Sequence, residues 1–213
     1  MIAGYHGSRL VPDVRREIVW RALWRYYFKR LVPSDGCVLD MGCGYGNFIN
    51  QVVAKRRIAL DCWPDFMLHL APGVEPILAN VTDLAALPDA GIDFAFASNL
   101  FEHLPQLDFI RVLEALRPKL SARGTLNILQ PNYRYAYREY FDDYTHITVY
   151  SHVSIADLLT ANVYEVIELI PRFLPLTVKS RLPASAGLIG AYLASPIKPF
   201  GKQMMVRARP MRR

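Results

Sequence analysis

The sequence predicts a doubly wound α/β fold built around a parallel sheet, and three observations carry that prediction. Short apolar runs alternate with helical segments from Cys37 to Gln130, a pattern that requires crossover connections and therefore parallel pairing. A glycine loop, Gly42-Cys-Gly-Tyr-Gly46, directly follows the first apolar run, where open sheets let a ligand approach the backbone. The 213 residues are 52% hydrophobic and 21% charged, a balance that fits one globular domain and excludes a disordered or collagen-like chain.

The elements follow in order. Asp13 to Val32 alternates Arg15, Arg16, Arg21, Arg25, Lys29 and Arg30 with Val14, Ile18, Trp20, Leu23, Trp24, Tyr27 and Leu31, which reads as one amphipathic helix. Pro33 ends it, and Ser34-Asp35-Gly36 turns into the first strand, Cys37 to Met41. The glycine loop then leads into a predicted helix through Ala54. Arg57 to Asp61 is the second strand, Asp65 to Leu70 a short helix, Pro76 to Asn80 the third strand and Asp93 to Asn99 the fourth. Leu107 to Leu116 reads as a helix and Thr125 to Gln130 as the fifth strand. Beyond a tyrosine-rich stretch, Asn132 to Val149, we expect a helix from Ser154 to Thr160 and two final strands, Tyr164 to Ile170 and Gln203 to Arg209.

Charge and composition narrow the function. The nine Lys and Arg residues from Leu169 to Arg213 face no acidic partner in that stretch, whereas Met1 to Glu168 carries 16 basic and 19 acidic residues. A basic end of this kind is a solvated surface, a nucleic-acid patch or a docking face for phosphate groups. The longest nearly uncharged apolar stretch, Ala184 to Ile197, is well short of the roughly 20 residues needed to span a bilayer. Acidic and basic residues interrupt the N-terminus early, so no secretory signal is read and the cytoplasm is the expected compartment. Cys37, Cys43 and Cys62 form no CxxC pair and have no histidines at zinc spacing, so no metal site is expected.

The loop motif is the most specific signal. Its glycines fall as GxGxG at Gly42, Gly44 and Gly46, whereas a dinucleotide fingerprint would want glycine at Asn47. Asp40 closes the strand just before the loop, where a carboxylate suits a cationic ligand better than a phosphate. Leu39-Asp-Met-Gly-Cys-Gly-Tyr-Gly46 resembles the first motif of the class I S-adenosylmethionine-dependent methyltransferases, and the likeness covers roughly Asp35 to Ile170. The resemblance implies a Rossmann-like, mostly parallel sheet with a C-terminal antiparallel strand, and S-adenosylmethionine as cofactor. It places Asp40, Gly42, Cys43, Gly44 and Gly46 at the cofactor loop, with Asp61 and Cys62 at the ribose. Asn80, Val81 and Asp83 fall at the adenine, and Ser98 and Asn99 beside the sulfonium. Ser98-Asn-Leu-Phe-Glu-His-Leu104 resembles the family's fourth motif. Such enzymes usually have Gly-Phe before strand six. Here the pair is Asn162-Val163, and Asn is expected to take the left-handed cap.

On this reading 1–213 is one methyltransferase domain: helix 13–32, cofactor-binding core 35–170, an insertion or lid at 171–201, and a last strand with basic tail at 202–213. Some acceptors are excluded. An Asn/Asp-Pro-Pro-aromatic run after strand four, typical of amino-methylation of DNA bases, is absent, and no cysteine lies near that strand for carbon-5 pyrimidine chemistry. Transfer to oxygen or nitrogen of another acceptor remains. Asn132 to Ile147 follows strand five and supplies Tyr133 and Arg134 to orient an acceptor, with His103 lining the pocket. His146 is the candidate general base, backed by Asp142 or Asp143. Pro171 to Pro183 and Gly201 to Val206 bear a looser resemblance to bacterial glycan-associated methyltransferases, which favours a saccharide or lipid-linked glycan hydroxyl, or another small-molecule hydroxyl. The rival readings are an RNA methyltransferase using the basic tail as a phosphate track, and a catalytically idle methyltransferase-fold partner subunit. A nicotinamide dehydrogenase is disfavoured by the glycine spacing. Ala184 to Ile197, flanked by Arg172, Lys179 and Arg181 on one side and Lys198 and Lys202 on the other, is expected to dock on an anionic membrane surface or a lipid-linked phosphate.

Overall fold

In the computed structural model, which describes residues 14–175 and 185–211, seven strands form one sheet. They are β1 (Cys37–Met41), β2 (Arg56–Asp61), β3 (Val74–Leu78), β4 (Ile92–Ser98), β5 (Leu120–Pro131), β6 (Tyr164–Pro175) and β7 (Gly201–Pro210). Their order across the sheet is β3-β2-β1-β4-β5-β7-β6. The first five pair in parallel, and β7 inserts antiparallel between β5 and β6. The expected fold class is therefore present, with β1 at the centre and strand order reversing between β1 and β4.

Helices α1 (Val14–Tyr26), α2 (Gln106–Leu116), α3 (Tyr133–Ala136), α4 (His152–Ala161) and α5 (Ala186–Ala194) complete the layers. The sheet's two faces bury different clusters. On one side Leu39, Met41, Ala95, Ala97, Leu126 and Ile128 pack with Phe109 and Leu113 of α2 and Ile155 and Leu159 of α4. On the other, Val38, Phe94, Phe96 and Leu129 pack with Leu23 of α1, Phe28 and Phe48. The period-two alternation of β1 and β4 sends consecutive residues to opposite cores, which is why their sequences read as continuous apolar runs.

Several elements differ from the sequence reading. The helix expected through Ala54 is absent; turns and one 3-10 segment, Ile49–Gln51, fill the interval. Only nine residues separate Gly46 from β2, too few for a helix and its return. The short helix expected at Asp65 to Leu70 is a 3-10 segment, Pro64–His69. Strand β6 continues five residues beyond Ile170, so the expected insertion begins as sheet and ends in α5, which packs on α1. Gly190 permits that contact: a Cβ there would stand 2.9 Å from Tyr26 Cε2. Lys179, Arg181 and Ala184 lie outside the described residues. The left-handed residue after α4 is Val163, at φ 66°, and not Asn162, at φ −101°.

The C-terminal basic residues prove to be partly neutralised. Arg207 pairs with Glu168 at 2.9 Å, Arg209 with Glu165 at 2.8 Å and Lys202 with Glu139 at 2.6 Å. Lys198 Nζ donates to the carbonyls of Tyr192 and Leu193 at the end of α5. These four cations serve the fold, which thins the charge available for a phosphate track or a membrane face.

Candidate functional site

The carboxyl ends of the parallel strands share one edge of the sheet, and the glycine loop lies at its centre. Gly42, Gly44 and Gly46 all adopt left-handed φ, 67°, 51° and 65°, a conformation that costs other residues about 1–2 kcal/mol each. The alternation of left-handed glycines folds the chain tightly over the end of β2. Gly42 N–H donates to the Leu60 carbonyl at 2.8 Å, and Gly44 N–H to Asp61 Oδ2 at 2.8 Å. Asp61 Oδ1 accepts from Trp63 N–H at 2.9 Å. Each Asp61 oxygen retains a second acceptor position, so the carboxylate fixes the loop and can still receive two hydroxyls.

Asp40 sits deeper. It is 3% exposed and accepts from the Ile49 N–H. Burial, only partly opposed by that bond and reinforced by Asp61, holds its carboxyl well above the usual range. Its evident work is to tie the loop to the 3-10 turn that follows. Cys43 is buried in the loop, and burial pushes its thiol up strongly; Cys62 is exposed beside Asp61. Asn80 and Asp83, both exposed, each close a local turn, with Asn80 Oδ1 on Thr82 and Asp83 Oδ1 on Ala85 N–H, and Val81 between them is buried. Ser98 and Asn99 end β4. Asn99 is left-handed at φ 48° and accepts from Gln203 Nε2 at 3.0 Å.

Sequence reasoning missed an aromatic group around this loop. Tyr45, Trp63 and His69 form a cluster with centroids 4.6–5.6 Å apart, Trp63 and His69 being stacked. His69 had every mark of a surface residue, and it is exposed; only its ring contacts distinguish it.

The second half of the site lies after β4 and β5. A 3-10 segment, Phe101–His103, is pinned by two backbone bonds: the Glu102 carbonyl accepts from Ile147 N–H at 2.9 Å and Thr148 N–H at 3.1 Å. This brings His103 to His146, with ring centroids 4.8 Å apart. His103 Nδ1 lies 2.9 Å from Thr145 Oγ1, which in turn donates to Asp143 Oδ1 at 2.6 Å. His146 Nδ1 donates to the Tyr140 carbonyl at 2.6 Å, since a carbonyl only accepts. Burial, assisted by His146, pulls the His103 imidazole down to about 4. Burial pulls Asp143 upward, but the Thr145 hydroxyl and N–H and the two histidines outweigh it and hold it below the usual range. His146, His103 and Asp143 are thus gathered together, whereas Asp142 is exposed on the adjoining 3-10 segment. Glu102, which no motif singles out, is fully buried and pushed by that burial up to about 8.

Tyr133 packs edge-on against Tyr140 at 5.2 Å, and Arg134 is exposed one residue on. Buried Asn132 holds this corner. Its side chain donates to the Pro171 carbonyl at 2.9 Å and meets His152 Nδ1 at 3.0 Å. Beyond it opens a cleft of about 610 Å³ between α1, β6 and α5, lined by Tyr26, Tyr27, Arg30, Tyr135, Arg172 and Lys198 among others. The Arg172 guanidinium stands 4.1 Å from the Tyr135 ring centroid, a cation–π contact.

Comparison with known proteins agrees with this fold. A trans-aconitate 2-methyltransferase from Rhizobium rhizogenes is 34% identical over 103 residues, covering 44% of this chain and 38% of the relative. The matched stretches span 38% and 53% of the lengths of the two curated relatives. Among solved structures, a S-adenosylmethionine-dependent methyltransferase from Archaeoglobus fulgidus superposes with a TM-score of 0.66 at 22% identity, covering 91% of this chain and 93% of its own. Another from Thermotoga maritima does so with a TM-score of 0.68 at 17% identity, covering 92% and 91%. At those identities the two structures share the fold. The family model described as a methyltransferase domain matches residues 15–169, a span that takes in the first helix, the glycine loop and every parallel strand, and so the chain belongs to the methyltransferase-domain family.

Proposed function

We propose that this methyltransferase uses S-adenosylmethionine to methylate a hydroxyl oxygen of a small anionic acceptor, with a saccharide bearing a carboxylate or phosphate as the best-fitting class. The residues at the loop suit that cofactor. Three left-handed glycines allow close backbone approach, and Asp61 offers two acceptor oxygens to a ribose. Asp40 braces the loop on the methionine side, Cys62 follows Asp61 at the ribose, and Asn80, Val81 and Asp83 border the adenine position. Bound there, the sulfonium supplies an activated methyl group. The chain's own task is then to align the acceptor and exclude water, an effect worth up to roughly 7–11 kcal/mol.

The observation that carries the acceptor class is the cleft beside β6. It joins the cations Arg30 and Arg172 to tyrosine faces (Tyr26, Tyr27 and Tyr135), a chemistry that receives a ring and an anionic group together. The Rhizobium rhizogenes relative is named for an anionic acceptor, trans-aconitate, which supports the anionic character of the acceptor alone, since aconitate carries carboxylates and no hydroxyl. As the acceptor oxygen attacks the methyl carbon, the carbon–sulfur bond breaks with its electron pair left on sulfur. The hydroxyl proton passes to Nε2 of His146, the candidate general base, whose Nδ1–H is held by the Tyr140 carbonyl. The pairing of Lys202, Arg207 and Arg209 with body carboxylates removes much of the basis for an RNA track.

The test supplies methyl-labelled cofactor with fractionated cell extract. Label entering small molecules retained on an anion exchanger supports the reading. Arg172→Ala should then raise KM for that acceptor about tenfold or more while cofactor affinity is unchanged. Label confined to RNA, or to neutral lipid, contradicts it.

A further inference from the structure

We infer that Glu102, His103 and His146 form a binding site for one divalent first-row transition cation. A carboxylate oxygen of Glu102 and a ring nitrogen of each histidine all lie within 4.8 Å of one another. Ligands about 2.1 Å from a shared ion stand roughly 3.0–3.5 Å apart, so side-chain rotations of about an ångström complete the set. The existence of this site is independent of the proposed acceptor, and a cation on His146 Nε2 takes the lone pair that receives the hydroxyl proton in that reading.

Two further observations point to a ligand. The first is Glu102 itself. Its side chain is 0% exposed and, among the described residues, neither carboxylate oxygen has a hydrogen-bond partner beyond its own backbone. Buried polar atoms are nearly always satisfied, and one that is not calls for an explanation such as an ion. The hydroxyl of Tyr150, close enough to be felt electrostatically by Glu102, is also buried without a partner among the described residues. The second is the orientation of the imidazoles. The hydrogen of the Thr145 hydroxyl goes to Asp143 Oδ1, so the 2.9 Å contact with His103 Nδ1 is one in which the ring N–H donates. His146 Nδ1–H likewise donates to the Tyr140 carbonyl. In each neutral ring the lone pair is therefore on Nε2. This is the arrangement in which metal-binding histidines are held, with the other ring nitrogen bonded to a carbonyl or, through a hydroxyl, to a carboxylate.

The donor set also selects the ion. Two imidazoles and one carboxylate suit Mn²⁺, Fe²⁺, Co²⁺ or Zn²⁺ and not Ca²⁺ or Mg²⁺, which prefer all-oxygen shells. Three protein ligands leave further positions for water or an acceptor oxygen. The site rests on two segments more than 40 residues apart, and the bonds from Ile147 and Thr148 to the Glu102 carbonyl join the backbone that carries the ligands. No cysteine takes part and the histidines are 43 residues apart, which is why zinc-spacing rules pass over it.

The experiment is a Co²⁺ titration of chelator-treated full-length protein followed by visible absorption, with Zn²⁺ calorimetry alongside. One equivalent per chain is expected, together with a higher melting temperature for the loaded protein. Glu102→Gln and His146→Gln should each weaken binding at least tenfold, and His69→Gln, outside the cluster, should leave it unchanged. Circular dichroism checks that the variants fold, and either one alone suffices. Failure to saturate, or wild-type affinity in a cluster variant that folds, overturns the inference. Calorimetry of S-adenosylmethionine on the same chelated protein keeps the two claims separate, because cofactor binding without cation binding refutes the metal site and leaves the methyl-transfer reading standing.

Discussion

Asp61 shows how one side chain serves both fold and ligand. Its oxygens already hold Gly44 and Trp63 through their N–H groups, and hydrogen bonds to a charged group are each worth about 1.5–3 kcal/mol. Asp61→Ala should therefore weaken cofactor binding by about one to two orders of magnitude, whereas Asp61→Asn, which keeps one acceptor oxygen, should lose less; calorimetry of both variants checks the order. Val163 makes a different claim. A β-branched residue at φ 66° is costly by about 1–2 kcal/mol, of which glycine's greater unfolded-state freedom gives back about 0.5–1. Val163→Gly should raise stability by about 0.5–1 kcal/mol in urea denaturation with an unchanged slope, and a loss of stability would show that Val163 packing dominates. The loop glycines and Asp61 were legible in the sequence because their signal is local: a fixed spacing at the end of a strand. Glu102 was not, because its significance comes from His146, 44 positions away, and from a missing hydrogen bond, neither of which a motif records. Asn162 was assigned the left-handed cap on propensity alone, and the chain turns one residue later.

At the level of elements, alternating apolar runs and helical segments revealed the sheet because parallel strands buried on both faces can hardly be written otherwise. The helix expected after the glycine loop does not form, since Phe48, Ile49 and Val52 are equally suited to a 3-10 turn packed under Phe28. Strand pairing at the opposite edge depends on Asp93, whose carboxylate receives Cys37 N–H at 2.9 Å, the Ser121 hydroxyl at 2.7 Å and Arg123 Nε at 2.9 Å. Burial pulls its pKa upward, but Ser121, Cys37 and Arg123 outweigh it and hold it below the usual carboxylate value. A depressed folded pKa means stability that is present above the unfolded value of about 3.9 and lost as pH falls through the folded one. Asp93→Asn should cost about 1–3 kcal/mol at neutral pH and flatten the acid limb of the stability profile below about pH 4; a variant with the wild-type acid limb would refute the assignment. Between α1 and α5 the contact depends on Gly190, whose missing side chain admits Tyr26. Gly190→Val should separate the two helices, lowering the melting temperature and weakening acceptor binding at the cleft they share, without a matching loss of cofactor affinity.

For the whole molecule, the division of labour follows the sheet. The parallel half carries the glycine loop and Asp61, and the antiparallel half, with α1 and α5, builds the cationic cleft. The +9 charge of the last 45 residues was legible as a number but not as a use, because its partners Glu139, Glu165 and Glu168 lie elsewhere in the chain and only folding reveals the pairing. Among the described residues no helix is long and apolar enough to cross a membrane. The central claim is that the loop from Gly42 to Gly46 and Asp61 together bind a sulfonium nucleoside, and isothermal calorimetry tests it most directly. Titrating S-adenosylmethionine and its demethylated product into the wild-type protein should give saturable binding at one site per chain, lost by one to two orders of magnitude in Asp61→Ala. Tight binding of NADH with no heat from either sulfonium or thioether ligand would contradict it.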